Sequence, residues 1–200
     1  MIQDDSLIPA GTKGLIFDIE GTLVSSMGVH FTAWQRALYA ATGRQITPSD
    51  FARIEGFDRS QIHAHFSERF SMDIDFDILN EKHLQAYNGL SHEIFPIDHV
   101  LDYLRTCHKR FPIVLATAEI RQIALVNIAI AGIEGLYDHL ITAEDVKHKK
   151  PHPEVFHRSA QLFGLEPEEC CIFEDSVNGL LAARRSGAYV IDIKTIVPDS

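Results

Sequence analysis

The sequence has little cysteine and little positive charge, and each shortage excludes a class of protein. Three of its 200 residues are cysteines (Cys107, Cys170 and Cys171), and no C-x-x-C spacing occurs. So few thiols exclude a disulfide-stapled secreted scaffold and favour reduced cysteines in a reducing compartment. The chain carries 18 lysines and arginines against 28 aspartates and glutamates, which gives a formal net charge of −10. Nucleic acids and anionic membranes attract basic surfaces, so we expect neither as a partner.

Long hydrophobic runs are also missing. The first residues, MIQDDSLIPAG, place acids where a signal peptide carries positive charge, and no apolar stretch is long enough to cross a bilayer. We therefore expect a cytoplasmic protein with no membrane partner. A length of 200 residues with 46% hydrophobic composition is enough for one globular domain, or for one domain with a small insertion.

The sequence does contain a regular alternation of short apolar runs and helical segments. Five runs are short, rich in strand-forming residues and bounded by polar residues or glycine: 14–19, 111–117, 139–142, 170–175 and 188–193. Helix-length patterns separate the later runs, at about 119–131, 153–163 and 177–186. Strands alternating with helices predict an α/β fold with a Rossmann-like parallel sheet and helices on both faces.

The first gap breaks this alternation, because about ninety residues separate the first run from the second. From Val29 to about Ser91 the pattern is helical, with Gly43 placed as a helix C-cap and Thr47-Pro48 as a helix start. We predict a core domain formed by residues 1–26 and 93–200, and a small all-helical cap domain over residues 27–92, inserted after the first strand. Loops at that edge of a sheet carry function, so we expect the cap to cover the site as a lid.

The first run, GLIFDIEGTL, ends on two carboxylates, Asp18 and Glu20, which are followed at once by Gly21. One interpretation is an acidic, glycine-containing turn that solvates the end of a strand. In the other, the acids stand at the carboxyl end of a central parallel strand, where open α/β sheets bind their ligands. The remaining strand ends favour the second interpretation.

Three later strand ends carry polar residues of matching chemistry. Thr117 follows an apolar run just ahead of a helix start, a setting that suits a phosphate oxygen. Glu174 and Asp175 end the run CCIFED, and Lys150 is held extended by Pro151 before the next helix. Taken singly, each is explained as a turn, a helix cap or a solvated loop. Four of the five predicted strands are followed by residues of this kind, which argues against coincidence.

Four carboxylates at one point repel one another unless a cation lies among them, and oxygen ligands select a hard ion such as Mg²⁺. The predicted metal ligands are Asp18, Glu20, Glu174 and Asp175. A threonine and a lysine beside that ion would form a receptor for a phosphoryl group. Asp18 would then attack phosphorus as a nucleophile, while Mg²⁺ and Lys150 hold the equatorial oxygens.

These motifs resemble, in order and spacing, the four motifs of the haloacid dehalogenase superfamily: Asp18-x-Glu20-Gly21-Thr22, Thr117, Lys150-Pro151 and Glu174-Asp175-Ser176. The resemblance covers nearly the whole chain. Four longer segments are similar to the β-phosphoglucomutase-like branch, which includes small sugar-phosphate phosphatases: HFTAW (30–34), EGFDRS (55–60), VKHKKPHPEVF (146–156) and FEDSVNGLLAARRSGA (173–188). Gly179 in the last of these matches the helix that packs behind the final acidic pair in that branch.

The resemblance implies Mg²⁺-dependent phosphoryl transfer through an aspartyl-phosphate on Asp18, with Thr117 and Lys150 as further catalytic residues. In such enzymes the acid two residues after the nucleophile protonates the leaving oxygen and then activates the acceptor, while its backbone carbonyl helps to bind the metal. Glu20 occupies that position, where most members have aspartate, although the enolase-phosphatase branch also has glutamate. We expect the pocket to be adapted to the longer side chain.

The resemblance also implies substrate-binding residues. Arg59 matches a cap arginine that in the mutases grips the phosphate remote from the nucleophile, and Lys82 approximately matches a second basic position. His30 and Trp34 match cap residues near the hinge, and Ala118 completes the predicted substrate-binding set. Each has an ordinary alternative as a core or a solvated side chain.

The leading hypothesis is a phosphatase acting on a small phosphorylated metabolite, in particular a sugar phosphate. A β-phosphoglucomutase-type mutase, which returns the phosphate to a sugar hydroxyl, is the alternative. A non-catalytic phosphate-ligand binder is a third hypothesis, because Glu20 stands where aspartate is usual. The eleven histidines lack cysteine partners at zinc-finger spacing, so Mg²⁺ is the cofactor that we predict. We expect a monomer whose partner is the small metabolite.

Overall fold

The computed structural model describes residues 7–54, 57 and 59–196. The first six residues of the N-terminal segment, and positions 55, 56 and 58 of the EGFDRS segment, lie outside the described residues. The chain divides into two compact units. One comprises the residues up to Ser25 and those from Phe95 onward, and the other comprises Ser26–Ile94.

A five-stranded parallel sheet forms the centre of the first unit. Its strands are β1 (Gly14–Phe17), β4 (Ile113–Ala116), β5 (His139–Ile141), β6 (Cys170–Glu174) and β7 (Tyr189–Asp192). Their order across the sheet is β5-β4-β1-β6-β7. All residues of the three central strands are buried. Because both faces of a parallel sheet are covered, these strands are continuous apolar runs instead of alternating ones. The predicted parallel α/β architecture is confirmed, and each strand is shorter than its apolar run.

Four helices accompany the sheet: α5 (Asp98–Cys107), α6 (Arg121–Ala131), α7 (Glu154–Leu162) and α8 (Val177–Ser186). Successive strand residues point to opposite faces. Ile16 and Ile172 pack in one apolar cluster with Phe156 of α7, whereas the adjacent Phe173 contacts Tyr103 of α5, with ring centroids 5.5 Å apart. Each large apolar side chain buried in this way contributes roughly 1.5–3 kcal/mol.

Two short strands, β2 (Val24–Ser25) and β3 (Phe95–Pro96), pair antiparallel at the points where the chain leaves the first unit and returns to it. The second unit, Ser26–Ile94, is helical in its described part. Its helices are α1 (Met27–Thr42), α2 (Pro48–Ile54), α3 (Arg59–Phe70) and α4 (Phe76–Gly89).

The helix boundaries of the second unit follow from local signals in the sequence. Gly43 caps α1 in the left-handed conformation, with φ of 69°, and its N–H donates to the carbonyl of Tyr39. Pro48 begins α2, where its missing N–H costs no helical hydrogen bond. Both predicted signals are confirmed. Of the helices described, none combines the length and hydrophobicity that a membrane crossing needs.

Candidate active site

The carboxyl ends of β1, β4 and β6 lie side by side in the sheet, and each delivers one of the predicted polar side chains. Asp18 follows β1, Thr117 follows β4, and Glu174 is the last residue of β6. The backbone N–H of Asp18 donates to the carbonyl of Phe173 at 3.0 Å, which extends the pairing of β1 with β6. Asp18, Thr117 and Glu174 are all buried, so the sheet fixes three polar groups in a site with little access to water.

Lys150 joins two of these groups. Its ammonium nitrogen Nζ lies 2.6 Å from Asp18 Oδ1 and 2.6 Å from Glu174 Oε2, and it also donates to the backbone carbonyl of Ala116 at 3.3 Å. Three acceptors thus match the three protons of one ammonium group. The lysine is buried as well, so a fixed positive charge stands between the two acids.

The other oxygen of Glu174 lies at the start of α8. Glu174 Oε1 accepts from the backbone N–H groups of Asp175 and Ser176, each at 3.0 Å, and from the Ser176 hydroxyl at 2.9 Å. Ser176 also caps α8 by accepting from the N–H of Gly179. A Cβ atom at position 179 would overlap the carboxyl group of Glu174, so this close approach requires glycine.

Three carboxylates fit a hard divalent cation. Asp18, Glu174 and Asp175 offer oxygens that all lie within 4.8 Å of one another. Asp175 Oδ1 is buried and has no hydrogen-bond partner, while Asp175 Oδ2 lies 3.3 Å from the ammonium nitrogen of Lys194. A buried carboxylate oxygen without a partner is costly, and a cation would remove that cost. Oxygen ligands of this kind suit Mg²⁺.

The side chain of Glu20 is held apart from this carboxylate group. Glu20 Oε1 accepts from Asn127 Nδ2 at 2.8 Å, and Glu20 Oε2 accepts from the hydroxyl of Thr117. The same hydroxyl accepts from the backbone N–H of Glu119 at 2.9 Å. A role for Glu20 in metal binding would therefore fall to its backbone carbonyl, which stays a prediction. Asn127, on the buried face of α6, was not predicted from the sequence.

The electrostatics of the site follow from burial and crowding. Burial, reinforced by the Glu174 carboxylate, raises the pKa of Asp18 well above its ordinary value, although Lys150 opposes the shift. Burial and Glu174 also raise the pKa of Asp175. Burial opposes protonation of Lys150, but the carboxylates of Asp18 and Glu174 outweigh it and raise the pKa of the lysine. Even with Lys150 between two of the three acids and the exposed Lys194 beside Asp175, an excess of negative charge remains that favours a divalent metal ion.

Glu20 has a different environment from the other acids. Loss of solvation around its carboxyl group, followed by the charge of Glu119, raises the pKa of Glu20 to about 7. The hydrogen bonds from Thr117 and Asn127 oppose this rise. A carboxyl group with a pKa near neutrality is suited to general acid and base catalysis.

Within the helical unit, three of the predicted substrate-binding residues form one cluster. Arg59 Nη1 lies 3.2 Å from Asn80 Oδ1 and 3.2 Å from His83 Nδ1. The guanidinium carbon of Arg59 lies 5.6 Å from the centroid of the Trp34 ring, and the Trp34 and His83 rings are stacked 3.9 Å apart. The ring of His30 follows at 5.9 Å from that of His83. Arg59 is therefore oriented by its neighbours on α1 and α4.

His83 was not predicted, because a single histidine within a helix carries no distinctive signal. Burial lowers its pKa well below the ordinary value, and Arg59 and His30 lower it further. The neutral ring accepts from Arg59 at Nδ1, so its proton lies on Nε2. Lys82 precedes His83 but is rotated by about 100° around the helix, so it is not part of the cluster. Ala118, beside Thr117, is exposed.

The family model for haloacid dehalogenase-like hydrolases matches residues 12–187 of the chain. The chain belongs to this family. The match confirms the predicted family and enzyme class. The parallel α/β fold of this haloacid dehalogenase-like hydrolase also agrees with the fold predicted from its sequence.

Curated relatives of this haloacid dehalogenase-like hydrolase match over most of their length. Fructose-1-phosphate phosphatase YqaB of Escherichia coli (strain K12) is 30% identical over 186 residues, which cover 92% of this chain and 97% of the relative. Hexitol phosphatase A of the same organism is 29% identical over 184 residues, covering 90% and 82%. The crystal structure of a putative β-phosphoglucomutase from Thermotoga maritima has a TM-score of 0.67 at 22% identity, covering 90% and 84%, which shows a shared fold.

Proposed function

We propose that this protein is a Mg²⁺-dependent phosphatase that hydrolyses a small phosphorylated metabolite, in particular a sugar phosphate, through an aspartyl-phosphate on Asp18. One observation carries the proposal: the Lys150 ammonium group bridges Asp18 and Glu174 at 2.6 Å, beside an orphaned oxygen of Asp175. The proposed nucleophile, a fixed cation and the proposed metal ligands would thus meet at one edge of the sheet. The names of the two curated relatives support the substrate class, since one names a sugar phosphate and the other a hexitol phosphatase.

The residues divide the proposed chemistry between them. An oxygen of Asp18 attacks phosphorus, the bond from phosphorus to the leaving oxygen breaks, and Glu20 gives that oxygen a proton. Water then attacks phosphorus, the bond from phosphorus to Asp18 breaks, and Glu20 takes the proton of the water. The positive charge of Lys150 stabilises the negative charge of the phosphoryl group throughout the transfer. When bound by Asp18, Glu174 and Asp175, Mg²⁺ supplies charge neutralisation and polarises the phosphoryl group.

The helical unit would bind the part of the metabolite that leaves. Arg59 is the strongest candidate there, because Asn80, His83 and Trp34 already fix its guanidinium group. A pre-oriented guanidinium pays less entropy when it pairs with a phosphate or hydroxyl group. His30, Trp34, Lys82 and, in the first unit, Ala118 remain proposed substrate contacts.

The proposal is tested with a panel of phosphate esters, including fructose 1-phosphate, in the presence of Mg²⁺ and with release of phosphate as the readout. We expect turnover that Asp18→Asn abolishes. Glu20→Ala should keep Mg²⁺ binding and lose about two to four orders of magnitude in kcat on sugar phosphates, which is the usual contribution of a positioned proton donor.

Two results would overturn the proposal in different directions. A protein that binds Mg²⁺ and phosphate but hydrolyses no ester would be a non-catalytic binder. Conversion of β-glucose 1-phosphate to glucose 6-phosphate with a trace of the 1,6-bisphosphate, without matching free phosphate, would identify a mutase. Full activity of Glu20→Ala on a sugar phosphate would remove Glu20 from the mechanism.

A further inference from the structure

Asn127 is a polar residue in an apolar setting. It lies in the middle of α6 (Arg121–Ala131), in the run IALVNIAIA, and on the buried face of the helix with Ile123, Ala124 and Ile128. Its side chain is completely inaccessible to solvent. A buried amide is costly unless its hydrogen bonds are made, so the partner of this amide explains its presence.

A hydrogen-bond partner of this amide is Glu20, the acid of the first motif. Asn127 Nδ2 donates to Glu20 Oε1 at 2.8 Å, across 107 positions of sequence. Thr117 donates its hydroxyl proton to the other oxygen of Glu20. Two neutral donors, one on a helix and one at a strand end, thus fix both oxygens of the carboxyl group. A cation in either place would pair with the carboxylate and hold it ionised, whereas neutral donors orient it without adding charge.

The length of glutamate is necessary for this arrangement. Its extra methylene, compared with aspartate, carries the carboxyl group farther from the backbone by roughly one carbon–carbon bond, about 1.5 Å. An aspartate at position 20 would fall short of at least one of the two donors, since hydrogen bonds are lost when they are lengthened by that amount. The length of the Glu20 side chain therefore matches the position of the Asn127 amide.

We propose that Asn127 is a positioning residue that, together with Thr117, holds the carboxyl group of Glu20 in its reactive position and adapts this site to glutamate. The inference rests on the proposed function for its catalytic meaning, while the positioning itself is a matter of geometry. Asn127 does not touch the reacting atoms. It acts through Glu20, so its loss should slow the two proton transfers assigned to Glu20: donation to the leaving oxygen and removal of a proton from the attacking water.

The experiment compares Asn127→Leu, which removes the amide, and Asn127→Asp, which keeps the shape but replaces the donor by a carboxylate. Ile128→Leu, on the same face of α6, is the control. The substrates are fructose 1-phosphate, whose leaving alkoxide needs a proton, and p-nitrophenyl phosphate, whose leaving group does not. We expect both Asn127 variants to lose about tenfold to a hundredfold in kcat on fructose 1-phosphate, with KM changed by less than about twofold. The first step, formation of the aspartyl-phosphate, is followed separately as single-turnover release of the leaving group, and there the loss on p-nitrophenyl phosphate should be several times smaller than on fructose 1-phosphate.

A second comparison uses the Glu20→Asp background. An aspartate does not reach Asn127, so adding Asn127→Leu to Glu20→Asp should change kcat by less than about twofold. Equal losses on the two substrates in single-turnover release of the leaving group, or additive effects in the double variant, would show a merely structural role and overturn the inference. Crystal structures of the parent and of Asn127→Asp give a readout that needs no turnover: we expect the Glu20 carboxyl group to move by about 1 Å or more, and an unmoved carboxyl group would overturn the inference.

These outcomes separate the two proposals. If the parent hydrolyses neither substrate, the proposed phosphatase function fails, while the crystallographic comparison still decides whether Asn127 positions Glu20. If Asp18→Asn abolishes turnover but the Asn127 variants behave like Ile128→Leu, the phosphatase stands and the inference is wrong. Should Asn127→Leu fail to fold, Asn127→Asp carries the kinetic test, because it preserves the volume of the side chain.

Discussion

The ammonium nitrogen of Lys150 lies 2.6 Å from a carboxylate oxygen of Asp18, and both groups are almost fully removed from solvent. The same nitrogen lies 2.6 Å from Glu174. One cation thereby joins the ends of the two central strands β1 and β6 to the loop that precedes α7. The stability of this edge of the sheet and its proposed chemistry depend on the same contact.

Replacing Lys150 by methionine should destabilise the protein and abolish its activity. The change leaves two buried carboxylates facing each other, and removal of one partner from a buried ion pair costs about 3–5 kcal/mol. Urea denaturation in metal-free buffer measures the loss, with Lys147→Met at a nearby exposed position as the control. Added Mg²⁺ should restore part of the stability of Lys150→Met but none of its turnover. An unchanged unfolding free energy would contradict the assigned role of Lys150.

The strand ends could be predicted from the sequence because topology determines where they go. Asp18, Thr117 and Glu174 each follow or end a short apolar run, and parallel strands bring their carboxyl ends to one edge of a sheet. The order of the strands and helices along the chain was therefore enough to predict that carboxylate, hydroxyl and ammonium groups meet at that edge. The lengths of the strands were predicted less well: Asp18, Thr117 and Thr142 were included in the predicted runs, but β1, β4 and β5 end just before them.

Contacts between interior helix positions could not be predicted in this way. Asn127 and His83 lie within helices, where a single polar residue gives no indication of its partner. The contact of Asn127 with Glu20 depends on how α6 packs, which no local pattern specifies. Thr117 shows the same limit: its position was predicted, but its hydrogen bond to Glu20 depends on the length of a side chain 97 positions away.

Gly179→Ala should damage the site, whereas Gly28→Ala should not. A Cβ atom at position 179 would overlap the Glu174 carboxyl group, which three donors and Lys150 hold in place, while nothing lies within 4 Å of a Cβ atom at position 28. Overpacking of this kind typically lowers the free energy of unfolding by about 1–3 kcal/mol, so we expect Gly179→Ala to lose stability of about that size and to be less active. Gly28→Ala should be neutral or stabilise by up to about 1 kcal/mol. Thermal unfolding and phosphate release measure both, and equal behaviour of the two variants would refute the packing argument.

Mg²⁺ should stabilise the folded protein through Asp175. A ligand that binds only the native state raises the free energy of unfolding by about 2.7 kcal/mol when its concentration is a hundred times its Kd. We therefore expect Tm to rise as Mg²⁺ is titrated into metal-free protein, and to rise much less for Asp175→Asn, which removes one carboxylate of the cluster. Asp102→Asn, at an exposed helix position, should behave like the parent. An undiminished shift in Asp175→Asn would exclude Asp175 as a metal ligand.

Glu154 should make stability depend on pH in the acidic range. Its carboxylate accepts from the backbone N–H groups of Lys147 and His148 and from the His148 ring. The first of these hydrogen bonds is the main cause that lowers the pKa of Glu154 from 4.5 to about 2. Because the pKa is lower in the folded state, the stabilisation is complete above pH 4.5 and is lost as the pH falls toward 2.

The corresponding measurement is the Tm of Glu154→Gln and of the parent between pH 7 and pH 2. The variant should be less stable at pH 7, and the difference in Tm should shrink as the pH falls below the ordinary glutamate pKa of 4.5. Glu134→Gln, at an exposed position on another loop, is the control. If the difference in Tm between the variant and the parent stays constant over this pH range, the Glu154 carboxylate does not stabilise the loop before α7.

Arg59→Lys should raise KM for the proposed sugar phosphate far more than Lys82→Met does. The guanidinium group of Arg59 is oriented by Asn80, His83 and the face of Trp34, and a lysine cannot reproduce that planar set of contacts. Loss of a charge-assisted hydrogen bond to the substrate typically costs about 1.5–3 kcal/mol, which corresponds to roughly a tenfold to hundredfold rise in KM. Because p-nitrophenyl phosphate lacks the sugar that Arg59 is proposed to bind, kcat on p-nitrophenyl phosphate should stay within about twofold of the parent. If Lys82→Met raised KM more than Arg59→Lys did, substrate binding would depend on the other face of α4, and the proposed role of the Arg59 cluster would be wrong.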